Sequence, residues 1–521
     1  MKNPPEKHFN RTMSEVAELF HVAPVTVVNW VKEGLLELDG DRLVTEESLL
    51  KFKKRYAGKV KLHARANKQL KDGHNDDKVG KAIQEALLKE PFDMTLGDRY
   101  EAMLSESYKN KEGVFYTSMS IVDDMMQEVE VSAETLFLDP CCGSGNFLVK
   151  ALEKGVNPQN LHGFDTDPNA VAIARRRIKA LTGCDAPNVV CADFLQVCPQ
   201  LKVKFDLVFT NPPWGKKLAK TQRDHYAQRY QAGTSNDTCS LFLFSALSVL
   251  KPGGVTGFLM PDSFFKIAVF EDARKAVLQQ TIQKLKDYGK PFKNMYSAVS
   301  LVLKKQACDQ NHRVRCCFNH SEYWRSQQSF MLMPRHNFNY WTKPEEMTMV
   351  EELLKQPYLT LKGYATWSLG IVTGNNAAMC RHSQRKGYKP VYRGKDILPG
   401  RLKAASLFVN PVDFPRYQQM ASMELLCAPV KLVYRFISSS LVFYCDTHQR
   451  YILNSANMLV LDPDFPLSAK QLAEIMNSRL SNWLFKQLFN THKVLRSDLE
   501  MLPVITDSAL HRRFDLLNFG G

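Results

Sequence analysis

Between residues 111 and 305, short apolar runs alternate with stretches whose apolar positions recur at helical spacing. Thr135 to Leu138, Leu161 to Phe164, Val189 to Cys191, Phe205 to Thr210 and Gly254 to Met260 read as buried strands. Asn146 to Lys154, Asn169 to Leu181 and Ser240 to Leu250 read as the helices between them. This alternation predicts an α/β domain built on a parallel, doubly wound sheet. Ile282 to Tyr288 and Ala298 to Leu303 predict an edge hairpin that closes it. After about residue 310 the pattern turns irregular, with many aromatics and short strands, as expected of a mixed α+β domain. There Tyr434 to Ile437 pairs with Leu441 to Tyr444 across Ser438-Ser439-Ser440, and Leu472 to Phe489 reads as one helix. The chain shows no internal repeat and no low-complexity tract.

The N-terminal pattern is different. Thr12-Met13-Ser14-Glu15 is a capping box opening a helix from Ser14 to Phe20, with Val16, Leu19 and Phe20 on one face. A second helix is expected from Pro24 to Gly34, followed by a hairpin around Asp39-Gly40. Residues 10 to 56 resemble the winged helix-turn-helix of MerR/excisionase type, which implies a DNA-binding module; a helical protein-docking module is the alternative. From Lys51 to Lys71 nine basic residues occur without an acid, so a phosphate-tracking linker is expected there rather than a solvated helix face. Residues 72 to 79 read as an exposed boundary.

At 521 residues the chain is long enough for about three domains, and its net charge of +15 favours a polyanionic partner. No apolar stretch approaches the roughly 20 residues of a membrane span, and the N-terminus lacks a signal core, which predicts a cytoplasmic protein with no membrane partner. The 12 cysteines lack CxxC spacing and read mostly as small buried hydrophobes. His312, Cys316, Cys317 and His320 have ligand chemistry, but a connecting strand explains them better than a metal site.

The candidate chemistry lies at the strand ends, where open α/β sheets hold their ligands. The first strand ends in Asp139-Pro140-Cys141-Cys142-Gly143-Ser144-Gly145-Asn146-Phe147, a glycine loop leading into a helix. An acid at its head repels phosphate and suits a cationic or zwitterionic ligand; S-adenosylmethionine (SAM), with its ammonium and sulfonium, fits. Asp165-Thr166, ending the second strand, offers a carboxylate to both ribose hydroxyls; Asp193-Phe194, ending the third, offers an acceptor and a ring to adenine. Each acid is also the residue type that caps a following helix. The fourth strand ends in Asn211-Pro212-Pro213-Trp214. An exocyclic amine on a base is a poor nucleophile, because its lone pair is delocalised. The Asn211 oxygen and the rigid Pro212 carbonyl are suited to accept its protons and stabilise the charge that develops. Trp214 adds a flat ring beside them. A cysteine nucleophile for cytosine-C5 chemistry is missing after this strand.

In this order the motifs resemble the γ-class N6-adenine DNA methyltransferases of restriction-modification type, whose target-recognition domain is C-terminal. The resemblance covers Gly113 to Ser118, Asp139 to Phe147, Asp165, Asp193-Phe194, Asn211 to Trp214 and parts of the C-terminal half. It implies a Rossmann-like SAM domain that methylates the N6 of a flipped adenine in double-stranded DNA. Tyr116, Thr117, Asp139, Pro140, Cys141, Gly143, Gly145, Asn146, Phe147, Asp165, Thr166, Asp193, Phe194 and Asn211 would line the cofactor site. Phe292 would sandwich the base against Trp214, which stands where Tyr or Phe is usual. Residues 1–58, 59–110, 111–308 and 309–521 are then the winged module, a basic helical linker, the catalytic domain and the recognition domain. In the last, Gly370 to Asn376, Tyr392 to Ile397 and Met476 to Ser478 resemble stretches of the family's recognition domains; a supporting domain is the plainer reading. Gly215 to Asp237 is expected to be a long polar loop closing over substrate. A monomer is expected, with a separate restriction endonuclease as an optional partner. RNA bases or protein glutamine amides as substrates, cytosine N4 as the target atom, and a non-catalytic DNA-binding protein remain alternatives.

Overall fold

The computed structural model describes residues 10–20, 27–28, 30–31, 35–39, 43–56, 79–104, 109, 112–113, 115–292 and 297–516. The chain divides into two compact units, Met1–Leu201 with Phe209–Leu218, and Lys202–Val208 with Ala219–Gly521.

In the first unit β1 (Phe137–Asp139), β2 (Leu161–Asp165) and β3 (Val189–Cys191) are parallel in the order β3-β2-β1, and the end of β4 (Phe205–Thr210) comes next to β1. These strands are nearly all apolar, as a parallel sheet covered on both faces requires. The register sets Asp139 beside Gly163 and Asp165 beside Cys191, so the acids the sequence placed at strand ends come to one edge of the sheet.

Helix Pro168–Thr182 starts at Asp167, whose side chain accepts from the Asn169 and Ala170 amides, and ends at left-handed Gly183. Helix Asn146–Glu153 starts differently. Its N-cap is Gly145 at φ 89°, without a side-chain cap, so the turn leaves the first amides of the helix free of side-chain acceptors of their own. A Cβ at Gly145 would lie 3.0 Å from the Ala174 Cβ. Ile83, Leu96, Tyr100 and Leu104, from residues 79–104, bury against Ala170 and Ile173 of the longer helix.

The N-terminal segment forms its own small core of Val16, Ala17, Phe20, Val27, Trp30, Leu36, Val44, Leu49 and Phe52. The expected capping box is present: Thr12 and Glu15 bond reciprocally at the start of helix Met13–Leu19. Leu38 and Val44 form an antiparallel bridge where the hairpin was expected, although residues 40–42 lie outside the described residues. So do most of the expected second helix and the basic tract from 57 to 71.

In the second unit the order is β4-β5-β7-β6-β8-β9, with β5 (Leu250–Pro261), β6 (Thr281–Asp287), β7 (Ala298–Lys304), β8 (Arg313–Phe318) and β9 (Ser321–Ser326). The β6–β7 pair exists but closes nothing: β6 also pairs parallel with β8, and the sheet runs on through β9, beyond residue 308. The turn at Asn319-His320, with φ of 47° and 62°, folds β9 back on β8, a tight-turn geometry that this pair signals weakly in sequence. The expected Gly215 to Asp237 loop is corrected too, since it carries helix Lys220–Arg229. Leu472 to Phe489 is two helices, Ala469–Met476 and Arg479–Leu488. The break arises because the Asn477 side chain bonds both the amide and the carbonyl of Phe443, while Ser478 caps the second helix. A four-stranded sheet of β10 (Ala365–Leu369), β11 (Lys431–Arg435), β12 (Phe443–Asp446) and β13 (Ala456–Leu461), in the order β10-β13-β11-β12, packs on these helices.

Gly145→Ala forces a side chain into the left-handed region, at a cost of about 1–2 kcal/mol. The expected outcome is a lower denaturant midpoint with an unchanged slope in equilibrium unfolding.

Candidate active site

The turn after β4, the residues tied to it and the glycine loop all lie within the first unit. The Asn211-Pro212-Pro213-Trp214 turn leaves the end of β4, and residues 112–113 and 115–117 run across it as a strap. Lys216 pairs with Glu112 at 2.9 Å. The Trp214 amide donates to the Gly113 carbonyl at 3.2 Å. Gly113 is required there: its φ is 69°, and a Cβ would meet the Trp214 carbonyl oxygen at 2.6 Å. The third tie bears most directly on the chemistry, because Asn211 Nδ2 donates to the Phe115 carbonyl at 2.6 Å. This fixes which way the amide points. Its Oδ1 is buried and has no hydrogen-bond partner among the described residues, an acceptor waiting for a donor.

Trp214 is only 5% exposed, its ring 6.2 Å from that of Phe115. Pro212 is buried and Pro213 half-buried. Phe292 belongs to the second unit, half-buried after β6 and next to residues outside those described.

The glycine loop sits under the other end of the strap. Asp139 is 1% exposed; its Oδ1 accepts from the Thr210 hydroxyl at 2.7 Å and from the Cys141 amide at 3.1 Å. Its Oδ2 is buried without a partner among the described residues. Burial pushes this carboxyl up to about 7, against the opposing hydrogen bonds of Thr210 and Cys141. Gly143, at φ 50°, lies against the Tyr116 ring, where a Cβ would be 2.4 Å from the nearest ring carbon. Asp165 accepts from the Gly143 amide and the Asp167 amide, both at 2.9 Å, tying the first two loops together; burial raises its pKa as well. Asp193 caps the short helix Phe194–Val197 through the Leu195 amide, the structural role its position allows. The Phe194 ring is buried against Phe164, 5.4 Å away, and is a core side chain in this structure. Cys141 and Thr166 stay accessible, while Pro140 and Phe147 are buried.

Sequence reasoning missed the residues that hold this loop from beneath. Arg177 is buried and donates from Nη1 to the Ser144 carbonyl at 2.8 Å and to Asn146 Oδ1 at 2.6 Å. Asn146 Nδ2 then donates to the Thr117 carbonyl at 2.7 Å, joining loop and strap. Tyr100 donates to Asp167 at 2.5 Å. On a helical wheel Arg177 is one basic residue among several, so no local signal marks it.

The donor set suits SAM. A buried acid with one free oxygen complements a cationic ligand, left-handed glycines let backbone approach it closely, and half-exposed Asp165 retains lone pairs for hydroxyls. Among the described residues no three His, Cys, Asp or Glu side chains group as a metal site, and no helix is long and apolar enough to cross a membrane. Cys316 and Cys317 are neighbours in β8 and face opposite sides of the sheet.

A Rossmann-like sheet with acids at successive strand ends and an Asn-Pro-Pro-Trp turn defines a SAM-dependent amino-methyltransferase. Family comparison agrees: the N-6 DNA methylase model matches residues 93–321, and the TaqI-like C-terminal specificity domain matches residues 389–504. Type II methyltransferase M.VspI of Vibrio sp. (strain 343) is 42% identical over 389 residues, 74% of this chain and 95% of the relative. Type II methyltransferase M.HincII of Haemophilus influenzae is 25% identical over 181 residues, 34% of this chain and 33% of the relative. In fold, the chain is similar to the DNA-bound Type IIL restriction-modification enzyme MmeI, with a TM-score of 0.52 at 11% identity, covering 78% of this chain and 70% of that one. The chain belongs to the N-6 DNA methylase family. It is a SAM-dependent DNA adenine methyltransferase of restriction-modification type, and DNA is its partner.

Asp139 makes native stability depend on pH. Its folded value of about 7 exceeds the ordinary 3.8, so the native state holds this proton more tightly than the unfolded chain. The stability it contributes is full below about pH 4 and declines as pH rises through about 7. The denaturation midpoint of ligand-free Asp139→Asn should therefore gain on the wild type across that window; a constant difference would remove Asp139 as the cause.

Proposed function

We propose that Asn211 and Pro212 are the groups that ready the N6 amine of a flipped adenine for direct methylation. The observation that carries this reading is the orphaned Asn211 Oδ1, presented by an amide whose nitrogen the Phe115 carbonyl already holds. That oxygen and the Pro212 carbonyl accept the two amine protons, which directs the nitrogen lone pair out of the ring's conjugation. Acceptors fixed before substrate arrives need no reorganisation during reaction. Trp214 is assigned to a face of the extruded base, and extrusion costs a few kcal/mol of stacking.

Asp139, Pro140, Cys141, Gly143, Gly145, Asn146 and Phe147, together with Tyr116 and Thr117, are assigned to the methionine end of SAM. Asp165 and Thr166 take its ribose, and Asp193 beside Phe194 takes the edge of the adenine. When bound, SAM supplies the methyl group on its sulfonium. The residues of this chain orient the amine, shield it from water and hold its protons.

Residues 1–58 are assigned to a winged helix-turn-helix that contacts DNA, 59–110 to a basic helical linker, 111–308 to catalysis and 309–521 to target recognition. The isolated apolar core of residues 16–52 and the capped first helix support the first assignment. The enzyme is read as a cytoplasmic monomer, with a separate restriction endonuclease as a possible partner in the cell.

Asn211→Ala should bind SAM within about twofold of wild type by calorimetry, while transfer falls by at least about a hundredfold, as loss of a preorganised acceptor implies. Unchanged turnover would remove Asn211 from the mechanism. Deleting residues 1–58 should weaken DNA binding most at low salt and flatten the slope of log affinity against log salt. An identical slope would favour a protein-docking role for that module.

A further inference from the structure

Within the TaqI-like match, Phe436 to Ser438 and His492 to Val494 lie side by side as a short two-stranded tip. Ile437 and Lys493 are cross-strand partners there in an antiparallel bridge. The tip is braced. The Phe436 amide donates to the Ser455 carbonyl at 3.2 Å, the Val494 amide to the Phe436 carbonyl at 2.8 Å, and the Ser438 amide to the His492 carbonyl at 3.1 Å. Asn482 Oδ1 holds the Leu441 amide at 2.7 Å. Lys493 Nζ reaches over the Phe436 ring, 6.0 Å from its centroid.

On this braced tip Ile437 is 65% exposed. A stiff, β-branched apolar side chain held out to water on ordered backbone gains nothing for the fold. Two other exposed apolar residues of the same region have acidic neighbours: Val412, 80% exposed, precedes Asp413, and Met423, 49% exposed, precedes Glu424; Val430, 45% exposed, does not. Along the two strands themselves the charge has one sign, although Arg496 beyond them pairs with Glu500 at 2.7 Å. No acid occurs from 434 to 445 or from 486 to 497, where Arg435, Lys486, Lys493 and Arg496 do. An apolar point with cations and hydroxyls around it, and no carboxylate on either strand, matches a polyanion that carries apolar groups inside its grooves.

We propose that this tip enters the major groove of the target DNA, where Ile437 packs on a thymine 5-methyl group of the recognition sequence and Lys493 lies on a flanking phosphate. The major groove, about 12 Å wide, admits a two-stranded ribbon, and the thymine methyl is the apolar group displayed there. Ile437 is then a specificity-determining residue and Lys493 a positioning one. The proposal rests on the DNA-methylating activity of the chain but not on the role of Asn211.

The test expresses wild type, Ile437→Ser and Lys493→Ala in a methylation-free host and sequences the modified bases. The wild-type sites test the activity itself; were there none, the proposed contact would fall with it. Ile437→Ser is expected to accept other bases at one thymine position and to methylate the original site roughly tenfold to a hundredfold more slowly. Deoxyuridine at that position should reproduce the loss in the wild type. Lys493→Ala should keep the same sites, bind all of them more weakly, and lower the salt slope by about 1. Because Ile437 is exposed, its thermal midpoint should match wild type, which separates specificity from folding. Unaltered sites and rates in Ile437→Ser, or an equal loss at every site, would overturn the proposal.

Discussion

One hydrogen bond orders the candidate active site: the Phe115 carbonyl holds Asn211 Nδ2. A free asparagine can turn either its donor or its acceptor toward a substrate, and only the acceptor is useful to an amine. The strap that supplies the carbonyl is itself tied at Glu112, Gly113 and Thr117, so the amide's orientation is set by several weak links acting together. The cost is an unsatisfied buried oxygen, typically 1–3 kcal/mol, which the fold tolerates where a ligand donor is to arrive.

The same logic applies beneath the glycine loop. Asp139 is buried with one oxygen satisfied and the other bare, and burial raises its pKa because a negative charge is costly there. A cationic ligand removes that penalty, so the loop trades stability of the free protein for complementarity to what it binds. Arg177 and Tyr100 restrain the loop from the helical side, the first through Ser144 and Asn146, the second through Asp167.

The second unit distributes its polar side chains differently. Asn477 and Asn482 spend theirs on backbone groups of Phe443 and Leu441, which stiffens the hairpin that carries Ile437. Rigid scaffolding with an exposed, chemically distinct tip is what recognition of a shaped surface requires.

How much of this was legible beforehand differs from element to element. Val189 to Cys191 and Phe205 to Thr210 were readable to the residue, because buried parallel strands are continuous apolar runs bounded by turn residues. The Asp-Pro-Cys-Cys-Gly-Ser-Gly and Asn-Pro-Pro-Trp motifs were readable because their chemistry is local in sequence. Where β6 and β7 sit in the sheet was not readable, since strand order depends on pairing between distant segments; nor was the break at Asn477, made by a hydrogen bond to a residue 34 positions away. Asp193 and Phe194 show the same limit: their place at a strand end was readable, while the helix that Asp193 also caps and the packing of the Phe194 ring on Phe164 were not. The sequence by itself therefore determined the α/β class, the glycine loop after β1 and the Asn-Pro-Pro-Trp turn after β4. Tertiary structure alone decided which way Asn211 points, which acid is left bare, and which apolar side chain stands out in water, because each is settled by partners that the chain brings together only on folding.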